Sequence, residues 1–313
     1  MGFSTHTILQ KRCPFGYNAA VLPPSATSTV HSAPQDHLVR SITTDGAFRV
    51  VAAITTNTAN ALWLNEGIER AAHTQLAQLL TFAPILRETT HPGRRVQLVW
   101  KAPQLTLVAD AMADGANRGV AYRADTATPV LSVNYTLPNG HLHQGTVALD
   151  GVTDAATVIM TYMHQSEQSV TMAAAAAVPH PSGHGWARVG GYLIQVLAEA
   201  TPEKTVSLLQ HLELLPAFAD MLASADDAND IVRAVLLGAS YQELARSALR
   251  FGCTCSTERV LLGMLSLAEP EVDALLVGET LQVRCDGCGK QYAITPETLA
   301  AARASSGRNR PSN

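Results

Sequence analysis

Four cysteines fall in two close pairs near the C-terminus, Cys253-Thr254-Cys255 and Cys285-Asp286-Gly287-Cys288, with 29 residues between them. Two such pairs, each on a tight turn and each supplying two sulfurs, match the donor set of a tetrahedral thiolate site for Zn2+. A C-x-x-C half-site is common in zinc ribbons and knuckles. A C-x-C half-site is rarer, so the combination is more specific than either part. The same sulfurs permit a second chemistry, because a metal-bound cysteine is deprotonated and the thiolate is the form that reacts with oxidants. A disulfide within the set is incompatible with the metal, and losing a structural zinc removes on the order of 10 kcal/mol of folding free energy. The cysteines alone therefore describe either a permanent staple or a redox-triggered switch.

The residues that must position these sulfurs form a small module, from about Phe251 to Arg303. Its interior segment, Ser256 to Arg284, carries Val260, Leu261, Leu262, Met264, Leu265, Leu267, Val272, Leu275 and Leu276. That suffices for one or two short helices around a metal, but not for a core that is stable alone. Arg259, Arg284 and Lys290 lie near the sulfurs in sequence, either as cations that favour thiolate or as solvated surface charges. A polar tail, residues 304–313, follows and is expected to fray.

Upstream, residues 37–199 read as an α+β core. Leu38–Thr43 and Phe48–Ile54 flank Asp45-Gly46, a hairpin signal. Apolar residues at spacings of three and four predict a helix from about Asn60 to Leu80, with Pro84 and the His91-Pro92-Gly93 turn ending that region. Strands are expected near 96–100, 105–110, 119–123, 130–137 and 144–149. Asp154 caps a helix to about Gln165, and strands near 170–178 and 191–196 complete the block. Residues 200–250 read as a helical linker, with apolar stretches at Glu203–Ala223, interrupted by Pro216, and Asp227–Leu237. Helices this apolar must cover something, and packing on the core is the ordinary outcome.

The chain has 313 residues, 47% hydrophobic and 15% charged, enough for a sizeable core and more than one domain. A net charge of −4 and 5% aromatic content argue against a general nucleic-acid binder. No apolar run reaches the ~18–20 residues needed to span a bilayer. Five cysteines, four with metal spacing, point to a reducing compartment, with the cytoplasm as the expected location. Residues 1–36 form an extension expected to be disordered; its first 35 residues lack Asp and Glu, which leaves a variable tail or an organelle-targeting segment as readings. Cys13 lies in it, away from the other four. His180-Pro181-Ser182-Gly183-His184 reads as a flexible loop, His141 and His143 as hairpin surface, and no phosphate loop, dinucleotide fingerprint or nucleophile elbow is present.

Several segments together resemble the heat shock protein 33 family of redox-regulated holdase chaperones. They are Arg118-Gly119-Val120, Met163-His164-Gln165-Ser166-Glu167-Gln168, Gly190-Gly191-Tyr192-Leu193-Ile194-Gln195-Val196-Leu197, Phe251-Gly252-Cys253-Thr254-Cys255-Ser256 and Cys285-Asp286-Gly287-Cys288-Gly289-Lys290. The resemblance covers about residues 38 to 300. One departure is Trp100-Lys101-Ala102-Pro103-Gln104, where family members usually have a glycine-rich turn before the proline.

The resemblance implies an α+β core at 37–199, a redox-sensitive helical linker at 200–250 and a zinc-binding switch domain at 251–303. It implies one Zn2+ per chain in the reduced state, held by Cys253, Cys255, Cys285 and Cys288, and a weakly active monomer. Oxidation would then form Cys253–Cys255 and Cys285–Cys288 disulfides, release the metal, unfold the module and loosen the linker. The apolar surface so exposed, with Leu208, Leu209, Leu212, Leu215, Phe218, Met221, Val232 and Leu236 as candidates, would hold unfolding client proteins without ATP. The active form would be a homodimer that hands clients to an ATP-driven chaperone, with no nucleic-acid or membrane partner and no turnover chemistry. Two other readings of the cysteines remain: a thiol–disulfide oxidoreductase using Cys285 and Cys288, and a constitutive zinc-ribbon interaction module.

Overall fold

The computed structural model describes residues 35–62, 68–89, 95–124, 128–136, 140–236 and 238–307. The extension up to residue 34, the His91-Pro92-Gly93 turn, Leu237 and the tail from residue 308 lie outside the described residues. In chain order the elements are β1 (His37–Thr43), β2 (Phe48–Ile54), α1 (Thr56–Asn60), α2 (Arg70–Thr89), β3 (Arg95–Ala102), β4 (Leu105–Ala111), β5 (Ala116–Tyr122), β6 (Val130–Thr136) and β7 (Leu142–Ala148). There follow α3 (Ala155–Gln165), β8 (Thr171–Pro179), β9 (Trp186–Val196), α4 (Pro202–Leu214), α5 (Phe218–Ser224), α6 (Ala228–Val235), β10 (Tyr241–Ala248) and β11 (Arg250–Phe251). The C-terminal part holds α7 (Thr257–Leu265), α8 (Glu269–Leu276), β12 (Leu281–Arg284), β13 (Gln291–Ile294) and α9 (Pro296–Gly307).

Two sheets enclose the main core. One has strand order β10-β1-β2-β9-β8 and the other β11-β5-β4-β3-β6-β7. Helix α2 packs against strands of both sheets, which is why its second half is buried all round; Leu76, Leu79, Leu80, Phe82, Ile85 and Leu86 are all buried. The same packing overrides a local signal. The helix was expected to stop near Leu80, yet it runs through Pro84 to Thr89 with Pro84 itself buried. Proline inside a helix costs about 3 kcal/mol, and the apolar surface of Phe82, Ile85 and Leu86, buried on either side of it, offsets that cost. At its other end the expected continuous helix is divided, with α1 ending at Asn60 and α2 starting at Arg70.

A second core lies on the outer face of the first sheet. There Val39, Val50, Ala52, Ile54, Tyr192 and Ile194 are covered by Leu208 of α4, Leu222 of α5 and Ile231, Val232 and Val235 of α6. Pro216 separates α4 from α5 as anticipated, and Asp227 caps α6 by accepting from the Asn229 N–H at 2.7 Å. The linker is not helical throughout, however. Tyr241–Ala248 forms a strand beside β1, and Arg250–Phe251 runs parallel to Ala116–Asn117 of β5. One segment is thus stitched to edges of both sheets immediately before Cys253. The expected C-terminal fraying from residue 304 is also displaced, since α9 continues to Gly307.

The departure at residues 100–104 leaves the β3–β4 hairpin intact. Pairing is continuous from Val96↔Ala111 to Ala102↔Leu105, and Trp100 is buried. Pro103 and Gln104 form the two-residue turn, and Gln104 takes φ 60°, a left-handed conformation that glycine adopts without a Cβ clash. Gln104→Gly is therefore expected to stabilise the core by about 1 kcal/mol, read as a higher denaturant midpoint at unchanged slope.

Candidate metal centre

The first cysteine pair is delivered by the core. Arg250 N–H donates to Gly115 O at 3.0 Å and Gly252 N–H to Asn117 O at 2.9 Å, carrying the β5 register into Cys253. A Cβ at Gly252 would meet the Ala116 Cβ at 2.8 Å, so the chain passes where only glycine fits. After Cys255 the Ser256 hydroxyl accepts from the Arg259 N–H at 3.3 Å and starts α7. The second pair sits in the turn between β12 and β13. Cys285 N–H donates to Lys290 O at 2.9 Å and Gly289 N–H to Cys285 O at 2.8 Å, with Gly289 at φ 79° closing the turn.

These two turns bring all four Sγ atoms within 4.8 Å of one another, each thiol free. The Cys253 and Cys285 sulfurs are 3.8 Å apart, and those of Cys255 and Cys288 are 3.5 Å apart. A tetrahedron with Zn–S bonds of about 2.3 Å has edges of about 3.8 Å, whereas a disulfide needs about 2.05 Å. Number, type and spacing of donors therefore fit zinc. Cys288 is buried and the other three are partly exposed, so oxidants can reach part of the set.

The cation that touches a sulfur is one that sequence proximity did not suggest. Arg118, on β5, donates from Nη1 to Cys253 Sγ at 3.3 Å. Its Nε and Nη2 donate to Asp110 Oδ2 at 2.9 and 2.8 Å, and the same carboxylate takes Arg95 Nε at 2.8 Å and Nη2 at 2.6 Å. Of the expected cations, Arg284 instead lies over the Tyr122 ring and Lys290 over the Tyr292 ring. Burial raises the Cys253 thiol, but hydrogen bonds from the Cys255 N–H and the Arg118 guanidinium outweigh it and bring it down to about 7. Burial pushes the Cys288 thiol up, and it also lifts Cys255 despite the Tyr292 hydroxyl, which donates to its sulfur at 3.0 Å. In the sequence Arg118 belongs to a segment of the family resemblance that carries no site role, and no motif marks Tyr292 or Asp110. An aspartate inside the apolar strand Leu105–Ala111 was the available signal, since a buried carboxylate must have partners.

The cluster supporting the sulfurs is small: Leu261, Met264, Tyr292, Ile294 and Leu299 are its buried members, with Cys255 and Cys285 packed against them. The eight candidate client residues lie elsewhere, on α4 to α6 and just beyond. Leu208, Val232 and Leu236 are buried against the first sheet, while Leu212, Leu215, Phe218 and Met221 pack partly buried on the same cluster. Leu209 is 42% exposed. His180 and His184 belong to the β8–β9 turn, where His180 Nδ1 pairs with Ser182 Oγ at 2.7 Å, and His143 stacks on Tyr135. Among the described residues the four cysteines are the one cluster able to hold a metal, and no helix is long and apolar enough to cross a membrane.

The fold is similar to that of known proteins. The crystal structure of the 33 kDa chaperonin (heat shock protein 33 homologue) of Thermotoga maritima superimposes with a TM-score of 0.72 at 16% identity, covering 88% of this chain and 100% of that one. The 33 kDa chaperonin of Geobacter sp. (strain M21) is 27% identical over 283 residues, 84% of this chain and 95% of that protein. The one from Geobacter sulfurreducens is 27% identical over 288 residues, 86% of this chain and 95% of its own length. The family described as Hsp33 protein matches residues 36–295, so the chain belongs to the Hsp33 family.

Proposed function

We propose that this chain is a redox-switched, ATP-independent chaperone that holds unfolding proteins under oxidative stress. The observation that carries this reading is four free thiols gathered at zinc spacing in a module with only a small apolar cluster of its own. Cys253, Cys255, Cys285 and Cys288 would hold one Zn2+ per chain, which supplies the cross-link that the module's core is too small to provide. Oxidation to Cys253–Cys255 and Cys285–Cys288 disulfides leaves no sulfur set for the metal, and the module loses its fold. The segment 241–251, bound to both sheets and leading into Cys253, would then release with it. The cover over the first sheet, residues 200–236, loosens and presents Leu208, Leu209, Leu212, Leu215, Phe218, Met221, Val232 and Leu236 to clients. In this reading the domains are 37–199, 200–250 and 251–303. The reduced form is a monomer in the cytoplasm, and the oxidised form is a homodimer that passes clients to an ATP-driven chaperone.

The position of Cys285 and Cys288 between two strands weighs against a thiol–disulfide oxidoreductase, since no helix N-terminus lies at this pair to favour thiolate. The test treats reduced protein with peroxide at heat-shock temperature. The expected result is loss of all four module thiols, release of about one zinc per chain and suppressed aggregation of a thermolabile client. Unchanged zinc content and no suppression would sink the proposal, and zinc retained alongside salt-sensitive nucleic-acid binding would favour a constitutive ribbon instead.

A further inference from the structure

We propose that Arg118 is a positioning residue that docks the cysteine module on the core sheet and makes docking depend on the reduced state of Cys253. The chaperone reading supplies only the trigger; the docking itself belongs to the reduced protein.

One guanidinium touches both halves of the site. Its Nη1 reaches Cys253 Sγ at 3.3 Å in the first half. In the second half a Cβ at Gly287 would lie 2.7 Å from Arg118 Cζ, so the guanidinium presses on the backbone of the Cys285–Cys288 turn. The other edge of the guanidinium is fixed by Asp110, whose carboxylate is shared with Arg95 and is 1% exposed. A fork held at two nitrogens aims the third donor without further ordering cost.

Charge makes the contact conditional. Two guanidiniums share one carboxylate, so Arg95, Asp110 and Arg118 together carry one excess positive charge, and Arg118 itself is 16% exposed. Cys253 Sγ is the acceptor that the free edge of Arg118 reaches, at 3.3 Å from Nη1. When two thiols of the set reduce one hydrogen peroxide, the sulfurs lose two electrons and form one S–S bond. The O–O bond breaks, and both thiol protons leave in two waters. A disulfide sulfur carries no charge and is a weak acceptor, so Arg118 keeps Asp110 but loses its partner in the cysteine module. The contacts left at this edge include the pairing of Arg250–Phe251 with Ala116–Asn117, the Gly252 N–H bond to Asn117 O, the Arg250–Asp114 ion pair and the ring contact of Arg284 with Tyr122.

The test compares amide exchange in the reduced, zinc-loaded wild type, Arg118→Gln and Gly287→Ala, with free thiols counted alongside. Arg250 and Gly252 amides report docking, because they donate to Gly115 and Asn117 of the core. Cys285 and Gly289 amides report the module itself, because their acceptors lie within its own turn. Both variants should exchange at Arg250 and Gly252 at least about tenfold faster, with Cys285 and Gly289 unchanged and zinc retained. Wild-type rates at Arg250 and Gly252 in either variant overturn the proposal. So does equal acceleration at Cys285 and Gly289, which would make Arg118 a support of the sulfur cluster. Should Arg118→Gln fail to fold, Gly287→Ala carries the test, since it changes no residue of the core. A client assay on oxidised wild type separates the two ideas. Suppressed aggregation with unaltered exchange in the variants removes the docking role alone, whereas expected exchange without suppression removes the chaperone reading alone.

Discussion

A chelator added to the reduced protein should unfold residues 253–303 and leave both large sheets standing. Within the module, pairing is limited to the four-residue strands β12 and β13, and α7, α8 and α9 span only nine, eight and twelve residues. A lone two-stranded hairpin and helices this short are marginal in water, and a cluster of five buried apolar side chains does not change that. A zinc bound at the four cysteines would supply the deficit, on the order of 10 kcal/mol for a structural site. The core has no such dependence, because Trp100, Phe82, Leu98 and Leu193 are closed between sheets and α2. Tryptophan separates the two events, since Trp63, Trp100 and Trp186 are all outside the module. Tryptophan emission should stay constant while protease cleaves between residues 257 and 303. Resistance of that stretch to protease without metal would contradict the expectation.

Val232→Asp should produce an active chaperone without any oxidant. Val232 is fully buried beneath α6 against the first sheet. A carboxylate there has no partner, and burying an unpaired charge costs several kcal/mol, roughly 3–5 in a site that can relax. The least costly relief is to lift α6, and with it α4 and α5, away from Val39, Val50, Ile54 and Ile194. The second core is a cluster distinct from the one around α2, so the rest of the sheet survives. Reduced Val232→Asp should bind an apolar dye and suppress client aggregation several-fold better than reduced wild type. Loss of the helices with neither effect would show that this covered face is not where clients bind.

These two expectations draw on different kinds of legibility. The cysteine spacing, the Asp45-Gly46 hairpin, the Asp154 cap and the break at Pro216 all act within a few residues, and each sits in the structure where its chemistry placed it. The strand at Tyr241–Ala248 was missed because most of its side chains stay exposed, so no alternation marks it. An edge strand is held by backbone hydrogen bonds to its neighbour, which any residue but proline can make. The helix through Pro84 was missed for the opposite reason, since burial on two sides outweighed a local breaker.

By itself the chain determined which four sulfurs would meet and which helices would be greasy, because turn chemistry, ligand spacing and apolar periodicity are written locally. Only the tertiary structure decided what those features face. Arg118 reaches a sulfur 135 positions away, and α4 to α6 lie on a sheet face built from four distant strands. Electrostatic partners and buried faces are chosen by proximity in space, and proximity across such separations exists only after the sheets have closed on their helix.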